Sequence, residues 1–157
     1  MSFLSREPQN AKVLVWSKPS LQWWKANWDY VVDKAFNRMG MGIVIHDHCG
    51  EVVAARSIMI NGRTDPMARE ALTSLYAVKM CKELGGQAII LEGDAKNVVD
   101  VINSEDKCGN HFGHLVEDAR QILKTIPHWR CEYVNQTGNE AAHALAKRAT
   151  KFVIDKD

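Results

Sequence analysis

Gly86-Gln87-Ala88-Ile89-Ile90-Leu91-Glu92-Gly93-Asp94-Ala95, residues 86–95, is the stretch on which the fold turns. Its near-continuous apolar run, from Gln87 to Glu92, is the pattern of a strand buried on both faces of a sheet rather than of one alternating between core and water. Gly85-Gly86 stops a helix just before it. Asp94 follows just past the run, where the end of a parallel strand collects ligands in an α/β domain.

Working backward, Asp65-Pro66 predicts a helix start, with an N-cap carboxylate followed by proline at the first helical position. Met67, Ala68, Ala71, Leu72, Leu75 and Val78 continue it at helical spacing to Leu84. Before that, aromatic and β-branched content predicts a strand over residues 23–32. Apolar runs over 41–46 and 52–60 are joined by Asp47-His48-Cys49-Gly50, a hairpin turn with its glycine last. Working forward, helical stretches are expected at about 95–103 and 112–125, a fifth strand over 128–135, a turn at Gln136-Thr137-Gly138-Asn139 and a closing amphipathic helix over 140–153. The order describes an α/β domain with a five-stranded mixed sheet: a three-strand antiparallel meander plus two parallel strands, flanked by helices. Residues 1–21, with Pro8 and Pro19 and no sustained periodicity, read as a tail or linker, and 22–157 as the domain.

At 157 residues the chain suits one domain with a proper core. A net charge of +1 offers no bulk attraction to nucleic acid or membrane, so any basic surface is local. The apolar runs are too short to span a bilayer, and the start lacks the apolar core of a signal peptide, so an intracellular protein, cytoplasmic or nuclear, is expected, with no membrane contact. Cys49, Cys81, Cys108 and Cys131 are widely spaced, as reduced thiols would be. Cys108, His111 and His114 have workable zinc spacing but no paired second half.

Three acids stand out. Asp29 lies in the first strand, where the bland reading is a polar residue on a wet face. Asp94 can simply cap the helix that follows. Glu70 has Pro66, Met67, Thr73 and Ser74 at i±3 and i±4, so it has no cation to pair with along its own helix. At about 100° per residue it lies at the rim of the apolar face. Three carboxylates gathered at one sheet edge repel unless a divalent cation holds them, and that asks for a phosphate chemistry using one. In the last helix Ala141, Ala142, Leu145, Ala149 and Phe152 form an apolar stripe, with His143 opposite it beside Asn139, Lys147 and Thr150. His143 is thus a surface histidine or a fourth site residue.

Five blocks in order resemble the ribonuclease H type 1 domain, in its plant, retroelement-derived branch. They are Lys25-Ala26-Asn27-Trp28-Asp29; Arg38-Met39-Gly40-Met41-Gly42-Ile43-Val44-Ile45-His46-Asp47; Ala68-Arg69-Glu70-Ala71-Leu72; Leu91-Glu92-Gly93-Asp94-Ala95; and Gly138-Asn139-Glu140-Ala141-Ala142-His143-Ala144-Leu145-Ala146-Lys147. The resemblance covers about residues 22–152. It implies the ribonuclease H-like fold and cleavage of the RNA strand of an RNA–DNA hybrid by two Mg²⁺ ions, with Mn²⁺ able to substitute, leaving a 5′-phosphate. It also implies that Asp29, Glu70, Asp94 and His143 are catalytic metal ligands, with Asp29 bridging both ions. Tyr30, Asn139 and Lys147 are candidate nucleic-acid contacts, with Arg148, Lys151, Lys124 and Arg130 as further cations, and a monomer is expected.

The sequence departs from that family at three points. His143 stands where many members carry an aspartate, as it does in plant relatives, and a neutral imidazole disfavours Mg²⁺ relative to softer ions. Tyr30 replaces the usual glycine after the first acid, and so crowds the hybrid or stacks on it. Val134-Asn135-Gln136-Thr137-Gly138 lacks the histidine thought to assist product release. These departures imply weakened turnover. Two alternatives stay open: a non-catalytic nucleic-acid-binding module on the same fold, and an interaction domain that uses the fold without nucleic acid. The five tryptophans read as core or sheet packing.

Overall fold

A computed structural model describes residues 15–62, 65–106 and 112–152. The strands are β1 (Trp24–Asp33), β2 (Arg38–His46), β3 (Val52–Asn61), β4 (Ala88–Gly93) and β5 (His128–Tyr133). The helices are α1 (Pro66–Glu83), α2 (Lys96–Asn103), α3 (Gly113–Leu123) and α4 (Glu140–Phe152), with a 3₁₀ turn at Gln136–Asn139 leading into α4. The sheet runs in the order β3-β2-β1-β4-β5. β1, β2 and β3 pair antiparallel, while β4 lies parallel to both β1 and β5. This is the five-stranded mixed sheet expected from the sequence.

Local chemistry sets each boundary. Asp65 accepts a hydrogen bond from Ala68 N at 3.0 Å, and Pro66 opens α1. At its far end Gly85 takes a φ of 78°, and the Gly86 N–H returns to Cys81 O. In the β2–β3 turn Asp47 Oδ1 accepts from the Cys49 and Glu51 N–H groups, and Gly50 supplies the φ of 79° that closes it.

α1 and α3 cover one face of the sheet, where Ala26, Trp28, Ile43, Ile45, Ile89 and Leu91 meet Ala71, Leu75, Val78, Val116 and Leu123. α4 covers the other face, packed on β2 and β1. The close approach of α4 depends on β2 glycines: a Cβ at Gly42 would stand 2.1 Å from Ala142 O, and one at Gly40 would stand 2.2 Å from Ala146 O.

The stripe that α4 buries is Ala142, Ala146 and Ala149. Ala141 is exposed and Leu145 half-buried, so the stripe inferred from the sequence is turned about the helix axis from the true one. The glycine groove selects the smallest side chains, and alanines at i, i+4 and i+7 fit it better than the bulkier Leu145. Within the segment expected to be a tail or linker, Pro19 is buried and Trp16 is hydrogen-bonded into β1, while Val15, Ser17, Lys18, Ser20 and Leu21 are exposed. Cys81 and Cys131 are buried free thiols. Cys108 and His111 lie outside the described residues. No helix of the described residues is long and apolar enough to cross a membrane.

Candidate metal centre

The β1–β4 register brings the first two acids together. Trp28 pairs with Gly93 across the parallel strands, so the residues that follow them, Asp29 and Asp94, emerge side by side. The pairing requires glycine, because a Cβ at Gly93 would stand 2.4 Å from the Trp28 ring. Glu70, in the second turn of α1, reaches the same place from the adjoining face. One carboxylate oxygen from each of Asp29, Glu70 and Asp94 lies within 4.8 Å of the others. Asp94 makes no cap for α2: the N-cap residue is Ala95 and no side chain closes that helix start. Nor does Asp29 face water, being 5% exposed.

The electrostatics of this cluster are unbalanced. Glu70 is 7% exposed, and neither of its carboxylate oxygens has a hydrogen-bond donor. Burial, with the charges of Asp94 and Asp29 added, pushes its pKa up to about 8. Burial and the Asp29 charge raise Asp94 to about 6. Asp29 is also raised by burial, opposed by hydrogen bonds from His143 and from the Tyr30 N–H. Buried carboxylates are ordinarily paired or bound to a metal. An oxygen-only donor set with two orphaned oxygens fits a hard divalent cation of the Mg²⁺ or Mn²⁺ type.

α4 brings His143 to the edge of the cluster. Its Nδ1 lies 2.8 Å from Asp29 Oδ2 and the side chain is 37% exposed. An ionised Asp29 can only accept, so Nδ1 carries the hydrogen and neutral imidazole keeps its lone pair on Nε2. His143 is therefore a partner of Asp29, outside the group of three carboxylates. Tyr30 stands half-buried next to Asp29, with the Arg69 guanidinium 5.9 Å from its ring centroid. Lys147 is exposed on α4. Asn139 is 1% exposed, and its amide is used internally: Nδ2 donates to Trp28 O at 2.8 Å, and Oδ1 accepts from Asn27. Asn139, expected from the resemblance as a nucleic-acid contact, thus has its side chain engaged within the protein.

Sequence reasoning passed over Asn27, Glu92 and Arg69. Lys25, Asn27 and Asp29 alternate with Ala26 and Trp28 in β1, which marks one polar face. That face is buried, with Asn27 Nδ2 donating to Glu92 Oε1 at 2.9 Å and Lys25 Nζ lying 3.4 Å from Glu92 Oε2. The alternation was the available signal, but nothing local distinguishes a buried polar face from a wet one.

Known proteins share the fold described above. Residues 27–149 match the family model described as reverse transcriptase-like. Among solved structures, RNase H1 from the halophilic archaeon Halobacterium salinarum superposes with a TM-score of 0.75 at 23% identity, over 83% of this chain and 98% of that one. The N-terminal RNase H domain of a Mycobacterium tuberculosis protein gives 0.74 at 19% identity, over 84% and 96%. LC11-RNase H1, isolated from compost by a metagenomic approach and solved with an RNA/DNA hybrid, gives 0.73 at 16% identity, over 84% and 99%. At these identities the likeness establishes the ribonuclease H fold. No curated protein sequence matches the chain significantly.

Proposed function

The chain belongs to the reverse transcriptase-like family, and on that premise we propose that it is a divalent-cation-dependent endonuclease that cleaves the RNA strand of RNA–DNA hybrids. The observation that carries the reading is the pair of donor-less, buried Glu70 oxygens beside Asp29 and Asp94. Structural carboxylates are satisfied by protein donors, whereas these are arranged as ligands. A structural relative solved with an RNA/DNA hybrid supports the choice of substrate.

In this reading Asp29, Glu70 and Asp94 hold Mg²⁺, or Mn²⁺ in its place. When bound, two such ions would supply the Lewis acidity to activate a water and to stabilise the departing 3′ oxygen. Asp29, held by His143 beside Glu70 and Asp94, would be a principal ligand of such ions. His143 orients Asp29 through Nδ1, and Nε2 stays available at the rim for a proton or for a cation. Tyr30, braced by Arg69, and Lys147 contact the hybrid backbone, giving sequence-independent, salt-sensitive affinity. The protein acts as a monomer.

The test is cleavage of an end-labelled RNA–DNA hybrid with Mg²⁺ or Mn²⁺, against EDTA and Asp94→Asn. Metal-dependent cutting of the RNA strand that disappears in the variant is the expected result. Hybrid binding without cutting by either metal would make this a binding module.

A further inference from the structure

Residues 15–17 cross the α4 face of the sheet and are tied to it by their own chemistry. Trp16 Nε1 donates to Asn27 Oδ1 at 3.0 Å, and Lys25 Nζ donates to Ser17 O at 2.6 Å. The Trp16 ring packs 4.6 Å from that of His46, with Lys25 Nζ 5.5 Å from its centroid. The backbone of Val15 and Trp16 also packs on the 3₁₀ turn, 3.4 Å from where a Gly138 Cβ would stand.

Trp16 completes the hydrogen bonding of the Asn27 side chain. The side-chain amide has two hydrogens, one given to Glu92 Oε1 at 2.9 Å and the other to Asn139 Oδ1 at 3.0 Å. Both acceptors are oxygens, so the amide has one workable orientation, with Oδ1 toward the strap. Asn27 is 1% exposed, and the donor to its Oδ1 is Trp16. Asn139, oriented in turn by Asn27, donates to Trp28 O, the carbonyl directly before Asp29. Four residues beyond Asn139, the first turn of α4 sets His143 against Asp29.

We propose that Trp16 is a positioning residue of the metal centre: its indole N–H fixes the Asn27–Asn139 amide pair, which fixes the junction of β1 with α4 and so the placement of Asp29 and His143. The segment that the sequence marks as a linker is then a working part of the site. This inference rests on the reading of Asp29, Glu70 and Asp94 as cation ligands.

Trp16→Phe keeps an aromatic ring against His46 and Lys25 but removes the N–H together with the five-membered half of the indole, so thermal melting reads the packing loss separately. Mn²⁺ binding to the free full-length protein is measured by titration calorimetry, with thermal melting alongside. Groups behind metal ligands typically govern affinity by 10- to 100-fold, and Trp16 stands further back, so a loss of about three- to tenfold is expected. Trp23→Phe, whose ring packs on Arg130 outside the network, should bind as the parent does. A parent that binds Mn²⁺ while Trp16→Phe binds it equally well overturns the positioning role and leaves the metal centre standing. A parent that binds no Mn²⁺ or Mg²⁺ overturns both.

If Trp16→Phe fails to fold, the parent protein alone decides. Coupling is reciprocal, so a cation that binds better when the Trp16–Asn27 hydrogen bond is formed stabilises that bond in turn, and saturating Mg²⁺ should slow hydrogen exchange of the Trp16 indole N–H more than that of Trp23. A Trp16 exchange rate unchanged by saturating Mg²⁺ refutes the proposal.

Discussion

Replacing Glu70 by glutamine tests whether the cluster is held together by cations or tolerated by the fold. The Glu70 carboxyl is raised from 4.5 to about 8. Its folded pKa lies above its unfolded one, so the unfolded chain releases the proton first. Stability is lost as pH climbs through that window, and the loss is complete above it. At about 1.4 kcal/mol per pH unit, the window amounts to about 5 kcal/mol. Relaxation and water entry absorb part of such a penalty, so about 2–3 kcal/mol is the expected net effect. At about 2–4 °C per kcal/mol for a chain of this length, that becomes about 4–12 °C in Tm. Melting is followed by circular dichroism in EDTA at pH 5 and pH 8.5. The parent should lose that much more Tm than Glu70→Gln between the two, because the amide does not ionise. Asp94, raised to about 6, remains in both proteins and largely cancels. Added Mg²⁺ should lift the parent at pH 8.5 and barely move the variant. Equal pH dependence in the two proteins would refute the electrostatic account of the site.

His143→Asp adds a fourth carboxylate beside Asp29, and calorimetry should show Mg²⁺ binding about tenfold tighter, with a lower metal-free Tm at pH 8. Gly42→Ala forces a methyl into the Ala142 carbonyl, 2.1 Å from the new Cβ; overpacking of this kind costs about 1–3 kcal/mol, visible as a lower urea midpoint. Lys25→Ala strands Glu92 in the interior, and removal of one partner of a buried pair costs about 3–5 kcal/mol. Lys25→Ala combined with Glu92→Gln should recover much of that loss, since no charge is then stranded; chemical denaturation of the two variants checks it.

Much of the architecture was legible because its causes are local. Asp65-Pro66 caps and opens a helix wherever it stands, Gly85-Gly86 ends one, and an apolar run such as 88–91 has few places to go but a central strand. The three acids could be picked out from position and, for Glu70, from the lack of a helical partner. Their meeting at one sheet edge was expected from the element order, but its geometry was not readable, because that depends on the Trp28–Gly93 register and on the absence of a Cβ at Gly93. The buried stripe of α4 was misjudged because hydrophobicity favours Leu145, whereas the closest backbone approach to the β2 glycines is at Ala142 and Ala146. The burial of Asn139 was not legible, because an amide carries no mark of burial in its own sequence.

The sequence by itself determined the elements, their order, the five-stranded mixed sheet and the acids available for chemistry, since propensity, capping and periodicity act within a few residues. The tertiary structure alone decided the partners. Asp29 faces His143 across 114 positions, Asn27 faces Asn139 across 112, and Trp16 completes an amide pair that no local pattern announces. A hydrogen bond needs a donor and an acceptor within about 3 Å, and only the folded chain determines which distant residues come that close.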